Sequence, residues 1–183
     1  MKHRIGGLAV LAAVLAWPGA TFAQSAAASG PQQPPAGLSQ TISGRFNVIQ
    51  IATVDVPSFQ AAWANRGAQV SLPTSGTVQR NQPIGTFIIF TGCQEDARGN
   101  CNVYTDFEIY DPDGEVYARH AAQPQWLGPP DVDGRIMLGV SGVSLVVEKG
   151  EKLGTYRLRS FTVDKVANVT VSNEIPVSVV EAK

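Results

Sequence analysis

Cys93 and Cys101 are the only two cysteines of a 183-residue chain, and the polar run Gln94-Glu95-Asp96-Ala97-Arg98-Gly99-Asn100 between them sets what they can do. A redox pair usually has the tight Cys-x-x-Cys spacing at a helix start, which is absent here. Two cysteines make no zinc site without partners, so an even count this close together points to a local disulfide. Closing so small a loop is worth roughly 2.5 kcal/mol in the chain-entropy account. A stapled polar loop also loses less entropy on binding than a free one, which makes Arg98 and Asn100 candidate contact residues.

Catalytic chemistry finds less support. A nucleophile needs a base within reach, usually a histidine, and His120 is the only one beyond the first few residues. No Gly-x-Ser-x-Gly elbow accompanies it, so His120 reads as a surface or strand-end residue. Asp106, Glu108 and Glu115 could share one face of a hairpin and act as a glycan-hydrolysing carboxylate set, although alternating acids on a strand are ordinarily its solvated face. Asp111-Pro112-Asp113-Gly114 and Asp131-Val132-Asp133-Gly134 open like calcium loops but lack the remaining oxygen ligands at the right spacing. Both read first as Asp/Gly turns. No catalytic residue, metal or cofactor is expected. Asn168-Val169-Thr170 matches a glycosylation sequon, a short match that is common by chance.

The richest binding candidate is Gln123-Pro124-Gln125-Trp126-Leu127-Gly128-Pro129-Pro130-Asp131. It reads as a long, proline-stiffened connection that places an aromatic beside an aliphatic residue. Loops on a rigid scaffold are where binding tends to reside, and Trp is enriched among interface anchors. Trp126 and Leu127 are therefore candidate contact residues. The competing expectation is that they fold back and cap one end of the core, as large aromatics in small domains usually do.

These residues need a scaffold, and the dominant signal is period-2 alternation in short runs, the mark of half-buried strands. Val103, Thr105, Phe107 and Ile109 fall on one face, and Tyr104, Asp106, Glu108 and Tyr110 on the other. The turn at 111–114 leads to a return strand over 116–119. Ile84 to Thr91 is dense enough in apolar residues for a central strand covered on both sides, and Phe46, Val48, Ile49 and Ile51 form another. Ile136, Leu138 and Val140, then Val143, Leu145 and Val147, then Val169 and Val171, then Ile175, Val177 and Val179 continue the rhythm, with turn signals about every ten residues. One helix interrupts it: Pro57 opens a run of good helix formers in which Phe59 and Trp63 share a face, near residues 57–65.

The N-terminal end reads as an address. Lys2, His3 and Arg4 precede an apolar run from Ile5 to Trp17, too short to span a bilayer of roughly 30 Å. Pro18 and Gly19 break it, and Thr21-Phe22-Ala23 offers a cleavage site, so residues 1–23 fit a secretory signal peptide. Residues 24–42, rich in Ala, Ser, Gln and Pro, are expected to be a disordered leader, with the folded domain at 43–183. Without Lys2 and Arg4 the 14 basic residues become 12, against 15 acidic, for a formal charge of −3. That balance gives no footprint for nucleic acid or an anionic membrane. No membrane span is expected after residue 23, and the oligomeric state stays open.

Glu151-Lys152-Leu153-Gly154-Thr155-Tyr156-Arg157-Leu158, an acidic residue and then Gly-x-Tyr opening a strand, resembles the tyrosine corner of immunoglobulin-like domains. Phe161-Thr162-Val163-Asp164, a turn, and Val169 to Val180 are similar to the last two strands of bacterial immunoglobulin-like and fibronectin-like modules. The resemblance covers the last 30 or so residues. It implies an all-β, Ig-like antiparallel β-sandwich with one short helix. Leu158 stands where such domains carry the second core cysteine, so the conventional inter-sheet disulfide is excluded. Such a fold carries no function with it. The expectation is an exported, periplasmic or secreted, non-catalytic module of the cell envelope that binds or assembles with an envelope protein. The alternatives are a carboxylate-based envelope hydrolase and a strand-edge chaperone for exported subunits.

Overall fold

The computed structural model describes residues 35–65, 71–131 and 136–182. The chain divides into two units, 1–32 and 33–183, and all described residues belong to the second. The signal segment, most of the leader and three residues of the Asp131–Gly134 turn lie outside the described residues.

In chain order the elements are β1 (Leu38–Ser43), β2 (Phe46–Thr53), α1 (Val56–Ala64), β3 (Thr77–Gln79), β4 (Ile84–Thr91), β5 (Val103–Tyr110), β6 (Val116–Trp126), β7 (Met137–Leu145), β8 (Gly154–Asp164) and β9 (Val169–Val180). They form an all-β sandwich. One sheet has the order β1-β2-β4-β7 and the other β3-β9-β8-β5-β6. Every pairing is antiparallel except that of β3 with β9, which is parallel, so the second sheet is mixed.

Alternation decides what enters the space between the sheets. Phe46, Val48, Gln50 and Ala52 of β2 point inward, as do Ile84, Thr86, Ile88 and Phe90 of β4 and the four expected residues of β5. These and their partners form two apolar clusters. One gathers Ile84, Ile109, Leu145, Tyr156, Leu158 and Val177. The other gathers Phe46, Ile88, Phe90, Val103, Phe107 and both cysteines. Buried Gln50 sits among these clusters without belonging to either. Gln50 Nε2 donates to Thr86 Oγ1 and to the Leu158 carbonyl, each at 3.2 Å, and Ser160 Oγ donates to Gln50 Oε1 at 3.0 Å. A fully satisfied buried network of this kind tolerates its own burial because every donor and acceptor is used.

The outer face of the four-stranded sheet is apolar as well, because α1 covers it. Phe59 is fully buried there and stacks on Phe87 with ring centroids 4.8 Å apart, beside Ile51 and Ile89, with Trp63 half-buried alongside. The helix begins where Asp55 Oδ1 accepts the Ser58 N–H at 3.0 Å, satisfying one of the orphan donors of its first turn.

At the foot of β8 the Tyr156 hydroxyl donates to the Lys152 carbonyl at 2.9 Å, the back-bond of a tyrosine corner, and Leu158 fills its cysteine position within the core. The Asp111–Gly114 turn joins β5 to β6, with Gly114 at φ +85° and its N–H on the Asp111 carbonyl.

Several expectations need correction. The strand Leu38–Ser43 takes in the last five residues of the stretch 24–42 read as leader. It is held by an unbroken ladder to β2 and by Thr41 Oγ1, which donates to the Ser172 carbonyl and to Asn173 Oδ1. Polar Ser, Gln and Thr disguised it, since an edge strand needs few apolar residues. The return strand after the 111–114 turn runs on to Trp126, so Gln123–Trp126 belong to β6 and only the residues after Trp126 leave the sheet. Leu138, Val140, Val143 and Leu145 share one strand, β7, with Ile136 just before it and Val147 beyond it, and the groups at 169–171 and 175–179 share β9. The three-residue β3 carried no period to detect.

Candidate functional site

The edge strands β6 and β7 belong to different sheets and meet along one side of the sandwich without laddering to each other. Each is irregular where they meet. On β6, Val103 pairs with Trp126 and Tyr104 with Pro124, which leaves Gln125 as an extra, bulged residue. On β7, Phe87 of β4 pairs with Gly142 and Ile89 with Leu138, so Gly139, Val140 and Ser141 together face the single residue Ile88. Bulges bend a strand and re-aim its side chains. Between the two lies an apolar groove of about 460 Å³ lined by Pro124, Trp126, Leu127, Gly128, Pro129 and Val140.

Trp126 is divided between the core and the groove. Its ring is half-buried and packs edge-on against Phe90 with centroids 6.5 Å apart, joining the core cluster that includes Val103 and Met137. Its Nε1 donates to the Pro129 carbonyl at 2.9 Å, which closes the segment that follows over the indole. The remaining ring surface forms a wall of the groove. Leu127, 59% exposed, and Val140, 73% exposed, are apolar side chains held in water on either side of it.

The Cys93–Cys101 disulfide is formed, with both cysteines buried. It brings the second candidate segment to the first, because the Cys101 N–H donates to the Gly128 carbonyl at 2.8 Å. Within the stapled loop Asp96 Oδ1 accepts the N–H groups of Arg98 and Asn100 at 2.8 and 2.9 Å. These bonds, Asn100's first, pull the Asp96 carboxyl below the usual carboxylate range. At the root of the loop, buried Asp164 accepts the Gln94 N–H with one oxygen and those of Val166 and Ala167 with the other. Arg98 is exposed and Asn100 partly so, but neither lines the groove.

The other chemistry-bearing residues lie elsewhere. Asp106 and Glu108 face outward from the five-stranded sheet. Asp106 accepts the Ala122 N–H at 2.6 Å, and Glu108 pairs with Arg119 at 3.2 Å and accepts from the Tyr110 hydroxyl. His120 is exposed, opposite Phe107 in register, and Glu115 is exposed at the hairpin turn. The calcium-like turn already has a cation: Lys152 Nζ lies 2.7 Å from Asp111 Oδ2 and 2.5 Å from Asp113 Oδ2. Lys152 holds the Asp111 carboxyl below its ordinary range, and the two carboxylates, Asp111 first, raise the Lys152 pKa in return. A smaller cleft of about 250 Å³ borders this ion pair, where burial and then Glu151 push the Tyr117 hydroxyl up to about 12. Among the described residues no group of three or more His, Cys, Asp or Glu is placed to hold a metal ion, and no helix is long and apolar enough to cross a membrane.

Pro124 and Gln125 lay in the segment singled out from the sequence but were given no role of their own, and Val140 was read only as a strand residue. The glycines at 139 and 142 were the available signal, since a glycine inside a strand often marks a bulge or a close approach.

No protein-family model and no curated protein sequence matches the chain. Among solved structures it is similar to a family 123 glycoside hydrolase from Clostridium perfringens, at 8% identity and a TM-score of 0.43 over 74% of this chain. The chain spans about a quarter of that enzyme, 27% of its length. A CARDB domain from Pyrococcus furiosus, solved with di-metal ions, is similar at 17% identity and a TM-score of 0.36, covering 59% of this chain and 87% of that one. A Niemann-Pick type C2 protein from the Japanese carpenter ant gives 11% identity and 0.37, covering 57% and 79%. None of these likenesses carries an activity or a ligand to this chain.

Proposed function

We propose that this protein is an exported, non-catalytic binding or assembly module of the cell envelope that holds a protein partner at the groove beside Trp126. The observation that supports the reading is the pair of bulges, which set Trp126, Leu127 and Val140 around one apolar recess beside a loop fixed by a disulfide. Exposed apolar surface gathered in a recess, with an aromatic whose back is anchored in the core, is the usual makeup of an interface anchor. The disulfide suits an oxidising compartment. Two of the three carboxylates of the hydrolase alternative are engaged, Glu108 with Arg119 and Tyr110 and Asp106 with the Ala122 N–H, which counts against that reading.

The test is in-cell crosslinking of the tagged, exported protein, with mass spectrometry of what co-purifies. One dominant partner that disappears with Trp126→Ala, while the variant still folds, is the expected result. An unchanged partner profile in the variant moves the contact away from the groove and ends the proposal.

A further inference from the structure

The Asp111–Gly114 turn carries one of the two Asp-Gly pairs of the chain, Asp113-Gly114; the other, Asp133-Gly134, lies outside the described residues. Such a pair has a reaction of its own. The glycine nitrogen, with no Cβ on its residue to obstruct it, attacks the aspartate side-chain carbon. The new N–Cγ bond closes a five-membered succinimide, and the carboxyl hydroxyl leaves as water with the amide proton. Water then adds back at either carbonyl. At Cγ it restores aspartate; at the main-chain carbonyl it leaves isoaspartate, with the backbone rerouted through the side chain. The only co-reactant is water, and no mass is gained or lost. Asp113, with its side chain 64% exposed, has the water that the second step needs.

Both reacting groups are engaged elsewhere. The Gly114 N–H donates to the Asp111 carbonyl at 3.0 Å, and Asp113 Oδ2 lies 2.5 Å from Lys152 Nζ. On either side of Gly114, the Asp113 and Glu115 N–H groups donate to Asp111 Oδ1 at 3.0 and 2.9 Å. Lys152 also grips Asp111 Oδ2 at 2.7 Å, so one cation ties the reactive carboxylate to the residue that organises the turn. For the Asp113 side-chain carbon to reach the Gly114 nitrogen, the carboxylate must leave Lys152 and the nitrogen must leave Asp111. An exposed ion pair contributes little to stability, so restraint of a reactive side chain is a separate use for this one. We infer that Asp113 is a site of spontaneous isomerisation through a succinimide, and that Lys152 is a positioning residue that holds its carboxylate off the Gly114 nitrogen. An isoaspartate at 113 would add one atom to the main chain between β5 and β6. It would displace the Gly114 N–H from Asp111 and the carboxylate from Lys152, whose own carbonyl holds the Tyr156 hydroxyl.

The test is ageing of the purified protein in warm neutral buffer, with isoaspartate located by isoaspartyl-methyltransferase labelling and peptide mapping. The samples are folded wild type, wild type unfolded in urea, Lys152→Met and Lys152→Arg. We expect isoaspartate at Asp113 to form about tenfold more slowly in folded than in unfolded wild type, since a bonded amide and a held carboxylate must both be released. Lys152→Met, which removes the cation, is expected to speed the folded protein's reaction roughly threefold with little change in melting temperature, the scale of one exposed ion pair. Lys152→Arg, which keeps a cation there, is expected to restore the wild-type rate. Equal rates in folded and unfolded wild type would show that the turn gives no restraint and overturn the inference. A faster rate in both Lys152 variants, or in neither, also overturns it. An unfolded chain that forms no isoaspartate at Asp113 removes the site altogether.

Discussion

At the residue scale the decisive distinction is between polar groups that are paired and those that are not. Gln50 occupies an inward position of β2 where alternation calls for an aliphatic residue, and it is accommodated because Thr86, Ser160 and the Leu158 carbonyl use its whole amide. Gln50→Ala leaves a cavity and strips partners from three buried groups, so it is expected to cost about 2–4 kcal/mol. A urea midpoint that falls while the slope is unchanged checks it, and a loss under about 0.5 kcal/mol contradicts it, since that is the size of an ordinary surface substitution. Gln50 was not placed from the sequence, because Ile49 and Ile51 are as apolar as Phe46 and Val48, and its partners come from strands more than 30 residues away. Trp126 was legible as a residue for either the core or the surface, but its division between core and groove was not. That division depends on the extra residue at 125, and a bulge arises from the register of two strands rather than from the local run of residue types.

At the element scale, local chemistry reads out well wherever a segment is fixed by its own residues. The helix was visible from Pro57, Phe59 and Trp63, and its start one residue earlier follows from the Asp55 cap. The same cap is open to titration. The Ser58 hydroxyl and N–H pull the Asp55 carboxyl down from its ordinary value. A carboxyl lower in the folded than in the unfolded state stabilises above its unfolded pKa, about 4, and loses that contribution as pH falls through the folded value. Asp96 and Asp111, lowered by Asn100 and by Lys152 respectively, have the same sign. Stability is therefore expected to hold from neutral pH to about 4 and to decline below it. Asp55→Ala is expected to lower stability at pH 7 and to flatten the acid limb of the curve. Chemical denaturation across the pH range measures both, and a variant whose acid limb matches wild type refutes the assignment. Strand β1, by contrast, was hidden because its residues acquire a reason to be extended only when β2 and β9 lie beside them.

For the whole molecule, the disulfide and the groove form one connected region. Removing the cross-link by Cys93→Ala with Cys101→Ala is expected to cost about 2.5 kcal/mol by the chain-entropy account. It should also weaken partner capture, because Cys101 carries the bond to Gly128 that fixes the groove's lip. Thermal melts alongside the crosslinking assay separate the two effects. Capture that survives intact in the double variant would show that the groove does not depend on the staple. The irregular edges have a consequence for life at high protein concentration. β3 offers only three residues, and β6 and β7 are broken by bulges, with a proline inside β6 as a further obstacle. Among the described residues this leaves Leu38–Ser43 as the one edge strand longer than three residues whose ladder has no shift. If crowding or partial unfolding drives this chain into fibrils or swapped dimers, that six-residue strand is where the first foreign chain attaches.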